Sequence, residues 1–254
     1  MIAERLKPLL LPVALVVALE VAARVSHLQS DTLAPPSDIV VAFVESVADG
    51  SLVVATRDTL VAAFAGLAIG ASLGLVLGLV LGMVAPLDRA LEVTIESIRP
   101  IPSVALLPIG LIALGFGYRM EIAIVAFACV WPLLILTRAA VRGVEPRLLE
   151  VARALRLRPL ARVRKIIIPA ALPRIFMAFR LAVGIALIVA VTVEITANPL
   201  GLGNAIMTAQ QALRPDLMLA MLVWIGIVGF ALNAVLVQAQ RRLFGRAALV
   251  EQGP

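Results

Sequence analysis

The feature that most restricts the fold of this chain is a series of long apolar runs separated by short charged stretches. The runs are rich in Leu, Val, Ala and Ile and lack the alternation expected of membrane β-strands. A helix needs about 20 mostly apolar residues to cross a bilayer. The sequence therefore predicts an all-α, polytopic membrane protein of about six transmembrane helices, at residues 9–25, 60–84, 104–116, 121–141, 170–195 and 217–237.

Composition and charge support a single membrane domain over residues 1–254. Of the chain, 62% is hydrophobic and 15% charged, whereas soluble domains have about 25% charged residues. With the N-terminus in the cytoplasm, 18 of the 22 Lys and Arg residues fall on the cytoplasmic side. We therefore expect both termini inside a bacterial inner membrane, and we interpret the net charge of +6 as an orientation signal rather than nucleic-acid binding.

The first predicted span has an alternative interpretation as a cleavable signal peptide, because residues 1–26 combine a basic start with an apolar core. Glu20 interrupts that core, and cleavage would leave an odd number of spans, so a retained helix is favoured. Residues 27–56 would then be extracytoplasmic. In this segment Ser37 is a candidate helix cap and Ile39 to Val47 form a short amphipathic pattern.

Glycine recurs at every fourth position of the second span. Small residues at this spacing let two helix backbones approach closely in lipid. Dense packing within the chain is the favoured interpretation, and a gap-lining role or a dimer seam is the alternative. The predicted helix-packing residues are Gly66, Gly70, Gly74, Gly78 and Gly82.

The chain offers little for catalysis. His27 and Cys129 are its only histidine and cysteine, so a catalytic triad or a zinc site would be implausible. Neither Lys7 nor Lys165 belongs to a Walker A loop, so the chain is not expected to hydrolyse ATP itself. We predict no catalytic residue, metal site or cofactor, which favours a transport component, an assembly factor or an anchor.

A charged, helix-patterned segment stands out at residues 145–165. Pro146 suits the first helical position and Pro159 breaks the chain, leaving a helix of about ten residues, too short to span. Arg147, Glu150 and Arg153 line one face. The other face is apolar, which predicts docking onto a partner or, alternatively, binding to anionic lipid. Its residues are Leu148, Leu149, Ala152 and Leu155.

This segment resembles the EAA motif, E-A-A-x3-G-x9-I-x-L-P, of permease subunits of binding-protein-dependent ABC importers. Glu150, Ala152, Ile166 and Pro169 match the motif. The flanking stretches IRPIPSVALLPIGLIALGFG and EITANPLGLGNAI resemble the nitrate, sulfonate and taurine branch, and the resemblance covers residues 57–243. One departure is Arg156, which stands where the family usually has glycine, so the helix either continues to Leu157 or ends in a less favourable backbone conformation.

The resemblance implies a type I importer permease fold and a set of partners. These are a dimer of ATP-binding subunits that hold ATP and Mg, a soluble extracytoplasmic solute-binding protein, a second copy of this chain and the lipid bilayer. It implies a small transported solute such as a sulfonate, nitrate or taurine. The residues that would dock on the ATPase are Leu148, Leu149, Glu150, Ala152, Arg153, Leu155 and Arg156.

Polar residues near the outer end of the fifth span are candidates for the translocation path, because a carboxylate at membrane depth is costly unless paired or hydrated. The candidates are Ser103, Thr192, Glu194 and Asn198, and Gly201 and Gly203 are predicted to form an outer turn or gate. The alternative for Glu194 is an interfacial side chain that reaches headgroup water. A secondary transporter and a non-transporting scaffold remain the other functional classes.

Overall fold

The computed structural model describes residues 2–25 and 33–245, with the side chains of residues 2–10 left aside, and all its regular elements are helical. The all-α prediction is confirmed. A 3-10 turn, Ser103–Leu106, precedes α5, and a π-helical turn, Val163–Ile167, precedes α9. The α-helices are α1 (Ile2–Val25), α2 (Pro36–Ala48), α3 (Ser51–Met83), α4 (Ala85–Ile98), α5 (Leu107–Leu114), α6 (Tyr118–Arg142), α7 (Pro146–Ala154), α8 (Pro159–Arg162), α9 (Ile168–Thr196), α10 (Gly201–Gln211) and α11 (Pro215–Phe244).

In the described part of the chain, four stretches are long and apolar enough to cross a membrane. They contain α3, α6, α9 and α11, and a bent pair of helices, α4 with α5, adds a fifth if it counts as one span. The predicted second, fourth, fifth and sixth spans fall in these four helices. The predicted first span, 9–25, lies within α1 and stays a prediction.

The third predicted span, 104–116, is not a single continuous α-helix. Its α-helical part is only α5, eight residues long, or about 12 Å at 1.5 Å per residue. The helices α4 and α5 meet at 80°. Pro100 and Pro102 lie at this break, and each lacks a backbone N–H and disfavours a helical conformation in the residue before it.

The outer segment contains the expected amphipathic helix, α2, but Ser37 does not cap it. Instead Ser37 donates from its backbone N–H to Glu20 Oε2 at 3.0 Å and from its hydroxyl to Glu20 Oε1 at 2.9 Å. Glu20 in α1 thus satisfies the N-terminus of α2, and it also pairs with Arg24 at 2.5 Å. Residues 27–32 of the predicted segment 27–56 lie outside the described residues.

The core forms where α3, α6 and α9 pack together. All five glycines predicted to pack helices face α6, where an added Cβ would stand 2.5 to 2.7 Å from α6 atoms such as Val125 Cβ and Val130 O. We call this contact the glycine seam. On its other side α6 meets a row of buried alanines on α9 at the same four-residue spacing: Ala178, Ala182, Ala186 and Ala190. Small residues therefore bring both neighbours close to α6.

The short helix α7 precedes α9 and the helix α10 follows it, so the two lie at opposite ends of the bundle. Following the predicted orientation, we call the end with α7 the inner end and the end with α10 the outer end. The candidate functional residues divide between these two ends.

Candidate functional site

At the inner end, α7 is nine residues long and begins at Pro146, as the sequence predicts. The proline has no N–H to leave unsatisfied and its fixed φ suits the first helical turn. The helix lies outside the apolar spans and is held by the loops that follow α6 and precede α9. The helix α7 therefore projects from the inner end of the bundle as a separate, short element.

The predicted docking face of α7 is divided between two sides. Ala152 is only 1% exposed, and Leu149 packs against the buried cluster that contains Val144 and Ile167. Ala152 therefore faces the permease itself, whereas the half-buried Leu149 also lines the cavity beside α7. Their contact with an ATPase subunit stays a prediction. Sequence spacing showed an apolar stripe but could not show what it faces.

The exposed apolar residues of α7 are Leu148, Val151 and Leu155, the last of them 65% exposed. Their spacing of three and four residues places them on one side of a helix. Glu150, Arg153 and Arg156 are exposed beside them. The outward surface thus combines apolar and charged groups, and Val151, which the sequence analysis did not select, belongs to it.

The end of α7 resolves the two alternatives for Arg156. This residue has φ +48°, in the left-handed region. The Leu157 N–H donates to Ala152 O at 3.0 Å and the Arg156 N–H to Arg153 O at 2.9 Å, the two bonds of a Schellman motif. The helix therefore ends at this turn, with an arginine in a conformation that usually favours glycine.

Beside α7 lies a group of ion pairs around one buried carboxylate that the sequence analysis missed. Asp88, in the first turn of α4, is 2% exposed and forms ion pairs with Arg138 (2.8 Å) and Arg142 of α6. Arg138 also pairs with Glu92 at 3.3 Å. A cavity of about 740 Å³ opens next to them, lined in part by Leu149 and Arg153. The only sequence signal was the four-residue spacing of Asp88 and Glu92.

At the outer end, Glu194 is 2% exposed and its carboxylate faces the start of α10. Its Oε2 accepts from the Gly203 N–H at 2.8 Å and lies 3.0 Å from the Thr59 hydroxyl. The same hydroxyl accepts from the Leu202 N–H at 2.9 Å and is also 3.1 Å from the Ala55 carbonyl. Glu194 thus acts as a carboxylate at a helix N-terminus, where backbone N–H groups and the helix dipole favour negative charge.

Asn198 belongs to the same group but bonds to a different carboxyl group. Its Nδ2 donates to Glu121 Oε2 at 2.5 Å, and Glu121, at the start of α6, is 1% exposed. We call Thr59, Glu121, Glu194 and Asn198 the outer cluster. Glu194 and Asn198 also line a cavity at this end of the bundle, so their place on the translocation path stays a prediction. The burial of Glu194 argues against the alternative of an interfacial side chain that reaches headgroup water.

The remaining path candidates lie apart from the outer cluster. Ser103 is half-buried at the start of the 3-10 turn, and the Thr192 hydroxyl donates to the Ile188 carbonyl at 2.7 Å. The cavity at this end has a volume of about 480 Å³, and its polar lining residues are Glu194, Thr196, Asn198, Asn204 and Gln211. It therefore combines two of the predicted path residues with three that the sequence analysis did not select.

Gly201 and Gly203 do not form a free turn, because they are the first residues of α10. Gly201 has φ +84°, and a Cβ there would collide with the Glu194 carboxylate. A Cβ at Gly203 would stand 2.7 Å from Glu194 Cβ and collide with the Val191 carbonyl. Glycine is needed at both positions so that α10 can approach α9 closely.

The described residues contain no group of three or more His, Cys, Asp or Glu side chains placed to hold a metal ion.

An apolar helical bundle with a short charged helix projecting from one end is the architecture of a membrane-embedded transport subunit. The match of residues 70–248 to a known family makes this specific. The chain belongs to the family described as the inner membrane component of binding-protein-dependent transport systems.

Individual relatives agree with this family. A Bacillus subtilis protein, named for aliphatic sulfonates transport, is 29% identical over 94% of this chain and 86% of its own length. An Escherichia coli permease protein of the same name is 31% identical over 89% of this chain and 86% of its own length. Further matches are permeases named for nitrate and taurine transport, which confirms the resemblance to that branch.

The fold is also known from solved structures. The inward-facing MetNI methionine ABC transporter contains a chain that matches 73% of this protein and 93% of its own length, with a TM-score of 0.66 and 20% identity. At that identity the likeness shows the fold, that of a type I importer permease. The chain is therefore the non-enzymatic permease subunit of an ABC importer, in which ATP hydrolysis belongs to a separate subunit.

Proposed function

We propose that two copies of this permease form the path by which a dimer of ATPase subunits drives import of a small solute from an extracytoplasmic binding protein. The observation that carries the proposal is α7, a helix outside the apolar spans that is fixed to the bundle on one side and exposes apolar side chains on the other. ATP and Mg would bind to the partner ATPase, because this chain has no Walker A loop.

The ATPase would contact the outward surface of α7, formed by Leu148, Val151 and Leu155 with Glu150, Arg153 and Arg156 around them. Leu149 and Ala152 would instead transmit the movement of α7 to the bundle, because they pack against it. A short helix held in this way moves as a rigid body rather than bending. This division of the two faces revises the docking residues expected from the sequence.

The outer end would receive the solute. There the 480 Å³ cavity beside α10 is lined by Glu194, Asn198, Asn204 and Gln211, polar groups suited to a small hydrophilic solute. By analogy with the relatives, the solute is a small sulfonate or a similar molecule such as nitrate or taurine. The binding protein would approach this end from outside the cell, and both termini of the permease would then lie in the cytoplasm, as the distribution of Lys and Arg predicts.

Replacing Leu155 by Asp tests the docking assignment. A charge buried there without a partner costs several kcal/mol, so the variant should insert normally but lose its ATPase during purification and transport nothing. Leu243→Asp, at another exposed leucine near the inner end of α11, is the matched control and should keep the ATPase. Recovery of the ATPase with Leu155→Asp at the control yield would contradict the docking surface.

A second variant separates the two faces of α7. Ala152→Asp places the charge against the permease itself, so this protein should accumulate poorly in the membrane even without the ATPase. Equal membrane levels of the Ala152 and Leu155 variants would show that the faces are wrongly assigned.

The mass of the intact complex measures how many copies of the permease it contains. A second, different permease in the complex would exclude the proposed homodimer.

A further inference from the structure

The outer cluster holds two carboxyl groups that face each other without a donor between them. Asn198, four residues after Glu194 in the chain, donates to Glu121 Oε2, so the carboxyl groups of Glu121 and Glu194 belong to one buried site. Each uses Oε2 for the bonds described above, and each leaves a buried Oε1 without a hydrogen-bond donor. Two ionised carboxylates in this arrangement would repel each other at high cost.

No ion pair relieves this repulsion in the part of the chain that the structure describes. Neither glutamate takes part in any of the ion pairs seen among the described residues. The neighbouring titratable groups are Asp58 of α3 and Tyr118 of α6, whose hydroxyl donates to Asp58 Oδ1 at 2.7 Å, with Arg57 beside them. Helix α10 has no titratable residue. A proton shared between the carboxyl groups would satisfy both free oxygens.

The hydrogen bonds indicate which of the two residues carries that proton. Glu194 Oε2 accepts from a backbone N–H at the start of α10 and lies near the Thr59 hydroxyl, and both interactions stabilise an ionised carboxylate. Glu121 accepts only one side-chain bond, from Asn198. The ionised form is therefore better supported at Glu194 and the neutral form at Glu121.

We propose that Glu121 is a positioning residue that carries a proton on Oε1 and donates it to Glu194 Oε1, so that the Glu194 carboxylate is held at the N-terminus of α10. The role of α10 at the outer end of the path rests on the proposed function, but the hydrogen bond itself does not. When Glu121 loses its proton, two adjacent carboxylates replace a hydrogen-bonded pair. The contact between α10 and α9 should then weaken, so it is strong at neutral pH and weaker at alkaline pH.

The test compares Glu121→Gln, Glu194→Gln and the exposed control Glu45→Gln in the purified, lipid-reconstituted transporter. Glutamine at position 121 donates an N–H where the protonated acid donates its O–H, so this variant should keep its unfolding temperature and its transport at neutral pH. The unsubstituted protein should unfold at a lower temperature at alkaline pH than at neutral pH, and Glu121→Gln should lose this alkaline decline. Glu194→Gln removes the charge at the helix N-terminus and should unfold at a lower temperature at neutral pH, whereas Glu45→Gln should change nothing.

Infrared spectroscopy reports the proton directly and requires no transport. The carbonyl band of a buried carboxylic acid should be present in the unsubstituted protein at neutral pH and absent from Glu121→Gln. Persistence of the band in Glu121→Gln, or an unchanged alkaline decline in that variant, would overturn the proposal. Sodium-dependent stabilisation that is lost in both variants would show a cation in place of the proton. The two proposals can fail separately. If the infrared and unfolding results are as expected but transport does not require this chain, the proposed function is wrong and the hydrogen bond between the two glutamates is still supported.

Discussion

Each end of the bundle contains a buried carboxylate, and the groups that stabilise it differ between the two ends. At the inner end the buried Asp88 joins α4 to α6 through Arg138 and Arg142. At the outer end the buried Glu194 joins α9 to α3 and α10 through a hydroxyl group and a backbone N–H. The inner carboxylate is neutralised by cations and the outer one by dipoles.

The difference follows the distribution of Lys and Arg along the chain. Arginines cluster on the segments predicted to be cytoplasmic, so guanidinium groups are available to Asp88 and scarce near Glu194. Arg138 is 20% and Arg142 40% exposed in its side chain, so salt can screen the inner pairs. The outer cluster is closed to solvent, and high salt should therefore weaken the inner contact more than the outer one.

The largest effect is expected from Asp88→Asn, which breaks both inner ion pairs. Leaving two arginines without their buried partner should lower the free energy of unfolding by about 3 kcal/mol, the low end for a buried pair because the arginines can reach water. The control Glu92→Gln removes only the 3.3 Å pair of a half-exposed carboxylate and should cost less than about 1 kcal/mol. Thermal unfolding of both proteins in detergent measures this, and equal losses would show that the inner end does not depend on Asp88.

Gly201→Ala tests the outer end and should cost about 2 kcal/mol. A left-handed alanine alone costs about 1 to 2 kcal/mol, and its Cβ would also collide with the Glu194 carboxylate. Gly50→Ala is the matched control, since Gly50 has a similar φ of +80° but nothing within 4 Å of an added Cβ. If the two variants unfold at the same temperature, the approach of α10 to Glu194 is looser than described.

The hydrogen bonds of the outer cluster are tested by Thr59→Val. The change keeps the shape but removes the group that bonds to the Leu202 N–H and Glu194, which should cost about 1 to 2 kcal/mol. Thr137 is equally buried, but its Oγ1 has no hydrogen-bond partner. Thr137→Val should therefore be neutral or stabilising in the same unfolding measurement, and a reversed order would refute the contrast between the two threonines.

Arg156→Gly should have the smallest effect and the opposite sign. Glycine adopts φ +48° without the clash between Cβ and backbone, so α7 should gain up to about 1 kcal/mol. The gain should appear as slower hydrogen exchange at the Arg156 and Leu157 amides. An unchanged exchange rate would mean that the guanidinium contributes as much to the turn as its backbone conformation costs.

The parts of this fold that sequence could predict are those that depend on local pattern. Long apolar runs gave four of the spans, and the four-residue spacing of the glycines gave a close helix contact. The sequence places Pro100 and Pro102 before the third predicted span, but the 80° bend beside them depends on packing. The sequence likewise could not show which side of α7 is covered, because only the bundle decides which face of a short helix is buried.

The outer cluster could not be predicted from the sequence for a further reason. Glu194 attracted attention as a carboxylate in an apolar run, and Glu121, at the start of α6, carries the same signal and could have been found by the same rule. The contact between these residues could not have been predicted from the sequence, because Glu121 and Glu194 lie on different helices and Thr59 lies on a third. Long-range contacts of this kind leave no local spacing in the sequence.

The glycine seam has a mechanical consequence. Because α3 and α6 interlock backbone to backbone at five points along the seam, neither can slide along its axis without the other. One helix, α6, carries both Arg138 of the inner ion pairs and Glu121 of the outer cluster, about 26 Å apart at 1.5 Å per residue. We therefore expect α3 and α6 to move as one rigid body, so that a displacement at the inner ion pairs would also displace the outer cluster beside the start of α10.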